Sequence, residues 1–144
     1  MARTVSGGLP VSFRYTPGVG NTAFLEALRD RGVLLGSRCE HCSVTYLPSR
    51  IFCERCLAEL AADTECGPGG ELASWTVGHV DIDGEPLNEP VSIGLVRCDG
   101  ADTVLMHRLL GDGPRQVGQR VEVVLRPAGD REASIMDIDG FRLV

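Results

Sequence analysis

The stretch Gly36–Cys56 reads GSRCEHCSVTYLPSRIFCERC and holds four of the six cysteines as two Cys-x-x-Cys pairs, Cys39/Cys42 and Cys53/Cys56. Two intervening residues let both thiolates of a pair turn toward one point. Two such turns, brought together by a hairpin, make the tetrahedral sulfur cage that zinc prefers. The ten residues between the pairs, with Tyr46, Leu47, Ile51 and Phe52 around Pro48, suit that hairpin. In a chain whose N-terminus shows no apolar export signal, such clustering reads as metal binding before disulfides. The expectation is therefore one structural zinc ion on Cys39, Cys42, Cys53 and Cys56. Iron fits the same four-sulfur geometry. Redox dithiols or ordinary buried cysteines are the bland readings, and two pairs within eighteen residues disfavour both. His41 lies inside the first pair, but cysteine already fills all four positions. Four thiolates leave no open coordination site, so the metal is read as structural and not catalytic. The filled cage carries −4 from sulfur and +2 from metal; Arg38, Arg50 and Arg55 are near enough in sequence to offset the excess.

Upstream, residues 1–20 are rich in Gly, Pro and small polar residues and read as an extended arm with two aromatics, Phe13 and Tyr15. Asn21 or Thr22 can cap a short helix ending at Gly32, with Phe24, Leu25 and Leu28 as its apolar stripe. Downstream, residues 61–70 read as a linker ending in Gly67-Pro68-Gly69-Gly70. From Glu71 the pattern turns to five strand-like runs: ELASWTVGHV, VSIGLVRC, TVLMHRL, RVEVVLRP and ASIMDIDGFRLV. The segments IDGEPLNEP, DGAD, GDGPRQVGQ and PAGDRE separate them as turns. Five short strands with no second helix match a small five-stranded OB barrel, although the connection after the third strand is too short for a full helix. The expected fold is mainly β: an N-terminal arm and helix over 1–35, a metal ribbon over 36–66, and an OB barrel over 67–144.

Composition narrows the function classes. The 144 residues carry a formal net charge of −6, and all 14 basic residues are arginine. An acidic chain argues against nucleic acid as the partner. Without lysine, neither a Schiff base nor a P-loop phosphate lysine is available. No apolar run approaches the roughly 20 residues of a membrane helix, so a cytoplasmic location with no membrane partner is expected.

No acid/base pair stands out as catalytic. His79 and His107 fall in predicted strands, and His107 alternates with Leu105 and Leu109, which suits a packed, hydrogen-bonded imidazole. Cys66 and Cys98 stand apart and read as small apolar residues or loop thiols. Trp75 could stack a nucleic-acid base but reads better as barrel core. Asp81, Asp83, Asp99 and Asp102 fall in turns, where carboxylates usually serve the backbone. Gly67–Gly70 precedes a strand, whereas phosphate-cradling loops precede helices.

The order of features resembles the acyl-CoA-associated proteins that join a rubredoxin-like zinc ribbon to an OB-fold. The residues that carry the resemblance are FLEALRDRGVLLGSRCEHCSVTYLPSRIFCERC, then GPGGELASWTVGHV, EPVSIGLVRCDG and VGQRVEVVL, spanning Phe24 to Leu125. The specific part is the helix followed by GSRC, Tyr46, Pro48, Arg50 and the second cysteine pair. The resemblance implies a small accessory subunit, non-catalytic by itself, bound to a thiolase-fold enzyme. Such partners include acyl-CoA thiolases and the side-chain aldolases of steroid-CoA degradation. It also implies Cys39, Cys42, Cys53 and Cys56 as the ribbon ligands, contact with acyl-CoA, and a two-plus-two heterotetramer with a dimeric partner. A stand-alone acyl-CoA-binding module and a nucleic-acid-binding ribbon–OB protein are the competing readings.

Overall fold

The computed structural model describes residue 7 and residues 12–144. Half of the expected arm, residues 1–6 and 8–11, lies outside the described residues. Its two aromatics lie within them, stacked on each other at 6.0 Å and exposed.

Helix α1 spans Gly18–Arg31. It starts a turn earlier than Asn21 or Thr22 would dictate, and Pro17 at its cap supplies no side-chain hydrogen bond. Tertiary contact sets the start. Ser49 Oγ donates to the Gly20 carbonyl at 2.8 Å, and a Cβ at Gly20 would stand 2.8 Å from the Ser49 oxygen. The far end follows the sequence: Gly32 adopts φ 66°, the left-handed conformation glycine takes without penalty, and donates to Leu28 O at 3.1 Å.

Three strands build the ribbon sheet: β1 (Leu34–Cys39), β2 (Val44–Tyr46) and β3 (Thr64–Cys66). The central strand β1 pairs antiparallel with β3 through its first half (Leu34 opposite Cys66) and with β2 through its second (Cys39 opposite Val44). The segment read as a linker is thus partly strand. Thr64–Cys66 closes the ribbon sheet, and Gly69–Gly70 already belong to the barrel.

The barrel strands are β4 (Gly69–Val80), β5 (Pro86–Cys98), β6 (Leu105–Leu110), β7 (Arg120–Leu125) and β8 (Ile138–Leu143). They close in the order β4-β5-β6-β8-β7, with β7 returning to β4 and β6 parallel to β8. This is the OB barrel; no helix lies between β6 and β7. Two sequence boundaries move. IDGEPLNEP is mostly strand, because β5 begins at Pro86 and the turn is confined to about Asp81–Glu85. The last run is strand only from Ile138. Before it, Ile135–Asp137 form a 3-10 turn in which the buried Asp137 carboxylate accepts from Glu132 N at 2.9 Å and Ser134 N at 3.1 Å.

One apolar core runs through all three parts. It joins Phe24 and Leu28 of α1, Leu34, Leu35 and Leu47 of the ribbon, and Leu72, Val96, Leu109, Val121 and Phe141 of the barrel. The helix stripe is thereby spent inside the molecule, where Phe24 and Leu28 are fully buried. Hydrogen bonds from the β5–β6 loop complete the junction. Thr45 N donates to the Asp102 carboxylate at 2.8 Å, and Asp102 N donates to Thr45 O at 2.9 Å. Thr103 Oγ1 accepts from Leu47 N at 2.8 Å and donates to Leu47 O at 2.9 Å.

Because core and hydrogen bonds cross the junction, helix, ribbon base and barrel should unfold in one cooperative step. Replacing Thr103 by Val strips Leu47 of both partners and should cost about 1–3 kcal/mol. A denaturant titration checks this: the midpoint should fall with the slope unchanged. Two resolved transitions would show that the junction does not couple the parts.

Candidate metal centre

The four cysteines come from two small turns. Strands β1 and β2 form a hairpin whose turn carries Cys39 and Cys42. The second turn is closed by a Phe52–Glu59 bridge and by Cys53 N to Ala58 O at 2.9 Å. In each turn the residue after the second cysteine is left-handed: Ser43 at φ 54° and Leu57 at φ 61°. Left-handed backbone costs an ordinary L-residue about 1–2 kcal/mol. The same strain at matched positions of both turns is what a backbone held around a common centre displays.

The sulfur atoms of Cys39, Cys42, Cys53 and Cys56 lie within 4.8 Å of one another, and those of Cys39 and Cys56 are 3.6 Å apart. A tetrahedral zinc with bonds of about 2.3 Å requires sulfur–sulfur edges of about 3.8 Å, so the cluster fits the ion. A bound zinc would supply a cross-link between the two turns, held by these four residues. Tyr46 supports them: its hydroxyl is 3.3 Å from Cys53 Sγ, and the Arg55 amide donates to the same sulfur at 3.4 Å.

The electrostatics also call for a cation. The Tyr46 hydrogen bond lowers the Cys53 pKa to about 6, and the Tyr46 hydroxyl is correspondingly pushed up to about 12. A hydrogen bond with Cys56, with burial next, pushes Cys42 up to about 12. At Cys39 the Cys42 backbone amide favours the thiolate, but burial and the neighbouring sulfurs outweigh it and the pKa rises. One thiolate is thus favoured by the protein alone, whereas ionising all four needs a positive centre among them. The nearby arginines are less free than sequence proximity implied. Arg38 pairs with Glu40 at 3.2 Å; Arg50 pairs with Glu54 at 2.8 Å and lies over the Tyr46 ring at 4.9 Å.

The other candidates stay apart from this centre. His41 is exposed and His79 lies on the exposed far part of β4. His107 packs edge-on against Phe141 at 6.4 Å, yet its Nδ1 has no partner among the described residues. Burial lowers its pKa, opposed by a hydrogen bond with the Ile135 backbone. Cys66 and Cys98 are buried, and burial pushes the Cys98 thiol up to about 12, which makes it a poor nucleophile. Trp75, expected in the core, is 40% exposed. Sequence reasoning missed Tyr46 as partner of the Cys53 sulfur, although its place midway between the pairs was a signal.

The profile of the ChsH2 rubredoxin-like zinc ribbon domain matches residues 27–61, and that of the ChsH2 C-terminal OB-fold domain matches residues 63–126. The chain belongs to this ribbon–OB family. Its four clustered cysteines are those of a zinc ribbon, consistent with one structural zinc. Among solved structures, a DUF35-family protein from Sulfolobus solfataricus is 22% identical, with 88% of this chain and 84% of that one covered at a TM-score of 0.65. The Ltp2–ChsH2 (DUF35) aldolase is 24% identical, with 90% of this chain and 98% of that one covered at a TM-score of 0.65. These likenesses establish the fold. No curated protein matches the chain in the sequence comparison. No helix among the described residues is long and apolar enough to cross a membrane.

Cys39, Val44, Tyr46 and Cys53 form a cluster separate from the main core. Stripping the metal, or Cys56→Ser, should therefore release backbone amides of residues 39–60 to hydrogen exchange while α1 and the barrel keep theirs. Uniform loss of protection would contradict this. The half-buried His107 yields a pH prediction. Its folded pKa lies below the unfolded value of about 6.5, so the unfolded chain takes up the proton first. Stability should be fully present above about pH 6.5 and fall as the pH drops below it. His107→Phe should flatten that slope in urea titrations between pH 5 and 8; an unchanged slope would place its origin elsewhere.

Proposed function

We propose that this chain is a non-catalytic accessory subunit of a thiolase-fold enzyme, a thiolase or a retro-aldolase, that acts on acyl-CoA esters. The observation that carries the reading is the joint occurrence of both ChsH2 domains in order, 27–61 and 63–126. A solved protein of the same architecture is the Ltp2–ChsH2 aldolase, in which the ribbon–OB chain is part of an enzyme. Substrates of the steroid-CoA kind and a two-plus-two assembly follow from the same family reading.

The chemistry of the site supports this role. A metal ringed by four thiolates has no position to polarise a carbonyl or activate water. The Cys98 thiol is pushed away from ionisation by its surroundings, and His107 is turned into the barrel against Phe141. The chain has no lysine amine to form a covalent adduct with a ketone. What it offers is a rigid ribbon–barrel body, which suits shaping a complex. The two competing readings fare less well. Nucleic acid would meet a chain of net charge −6. A stand-alone acyl-CoA module would need cationic clusters for the phosphates, and most arginines with assigned contacts are paired with carboxylates.

Co-expression with a thiolase-fold protein of the same genome tests the reading. The two should co-elute as one complex with the mass of two copies of each, the complex should turn over acyl-CoA esters, and this chain alone should not. Separate elution of two folded proteins, with partner activity unaffected by this chain, would refute it.

A further inference from the structure

Strands β4 and β5 are far longer than the barrel needs. Strand β7 pairs with β4 only over Gly69–Glu71, and β6 pairs with β5 only over Ile93–Val96. Among the described residues, β4 beyond Ala73 and β5 before Ser92 have no strand on their outer sides. The result is a two-stranded arm with two free edges, a structure marginally stable in water without something packed on it. Pro86 and Pro90 in β5, which have no N–H to give, are tolerated because that edge is unpaired.

The arm is apolar where it should be wet. Alternation along β5 puts Val91, Ile93 and Leu95 on the face turned away from the barrel core, since Gly94 and Val96 face inward. The register sets Met106 of β6 opposite Leu95, extending the stripe sideways. Val91 and Met106 are 40% and 66% exposed, and Ile82 at the tip is wholly exposed. A stripe crossing strands in this way is a docking feature and not scattered surface apolarity.

Charge identifies the occupant. From Leu72 to Val96 there is no arginine or lysine, while Asp81, Asp83, Glu85 and Glu89 crowd the hairpin end. None of the four forms an ion pair among the described residues. An anionic membrane or a nucleic acid would be repelled. A second copy of this chain would bring the same cation-free segment to a two-fold interface. A protein surface with an apolar floor and a Lys/Arg rim is complementary to the arm on both counts.

We propose that the β4–β5 arm and the outer β5–β6 face dock the thiolase-fold partner, on a patch of that partner edged with basic side chains. This rests on the accessory-subunit reading and adds the surface that would carry it. Phe24 and Leu28 of the helix and Leu34, Leu35 and Leu47 of the ribbon base are excluded from this role by their burial in the core. The acidic hairpin end steers the encounter, and the apolar stripe holds the complex.

The test uses the full chain and the thiolase-fold protein recovered with it in the co-expression experiment. Titration calorimetry compares the wild type with Met106→Glu, with the double variant Asp83→Arg/Glu89→Arg, and with Val19→Ser at the exposed start of α1 as control. Met106→Glu and the double charge reversal should each weaken binding at least tenfold, and the reversal should also flatten the salt dependence. Val19→Ser should stay within twofold. If Met106→Glu does not fold, the charge reversal at the exposed turn and protection of amides 76–92 in the wild-type complex stand in for it. Wild-type complex formation that neither arm variant disturbs would overturn the docking surface while leaving the accessory role intact. A homodimer of this chain abolished by the arm variants would assign the face to a second copy and overturn it too. Absence of any wild-type complex would refute the accessory role and this inference together.

Discussion

Strand β1 is gripped at both ends, and the rest of the molecule is organised by that grip. Its first residues, Leu34 and Leu35, lie in the core shared with α1 and the barrel; its last, Cys39, belongs to the sulfur cage. The strand changes partner midway, from β3 to β2, so six residues tie the barrel's entrance to the metal turns. Little can bulge at the crossing point. A Cβ on Gly36 would stand 2.6 Å from the Tyr46 carbonyl oxygen, and Ser37 is fully buried with its hydroxyl bonded to the Arg50 backbone at 2.9 Å and 3.1 Å.

Two stabilising principles therefore divide one chain. Around α1, the ribbon base and the barrel, burial of aliphatic and aromatic side chains does what it does in any domain of this size. At the ribbon tip the residues are too few and too exposed for that, and a small turn-rich segment needs a metal instead. The four cysteine sulfurs, all within 4.8 Å of one another, are the geometric signature of this division. Tyr46 links the two regimes: it is wholly buried, it stands in the ribbon sheet, and its hydroxyl reaches Cys53.

What the sequence made legible, and what it hid, follows from the range of the forces involved. The cysteine spacing and the Gly32 helix end are local, so both could be read directly, as could the five barrel strands from their alternation. Strand β3 was hidden because Thr64–Cys66 is three residues long and is a strand only because Leu34–Gly36 pairs with it. The start of β5 was hidden because Pro86, Asn88 and Pro90 look like turn residues; they are admitted to the strand by its free edge. The early start of α1 depends on Ser49, almost thirty residues away. Trp75 reads as barrel core from the sequence, but it is 40% exposed, on β4 opposite Gly94. Of the cage, the four sulfurs were legible and the supporting hydroxyl was not, since a tyrosine between two cysteine pairs can equally be core.

The functional account turns on the metal centre being closed. A zinc fully ringed by sulfur can brace a protein surface but has no position to polarise a carbonyl or activate water, and the proposed division of labour with a catalytic partner depends on that. X-ray absorption at the zinc edge of the purified chain measures it directly. The account predicts one zinc per chain with four sulfur neighbours at about 2.3 Å and no lighter ligand. A shell containing oxygen or nitrogen in place of one sulfur would mean an open or exchangeable position, and would contradict the structural role.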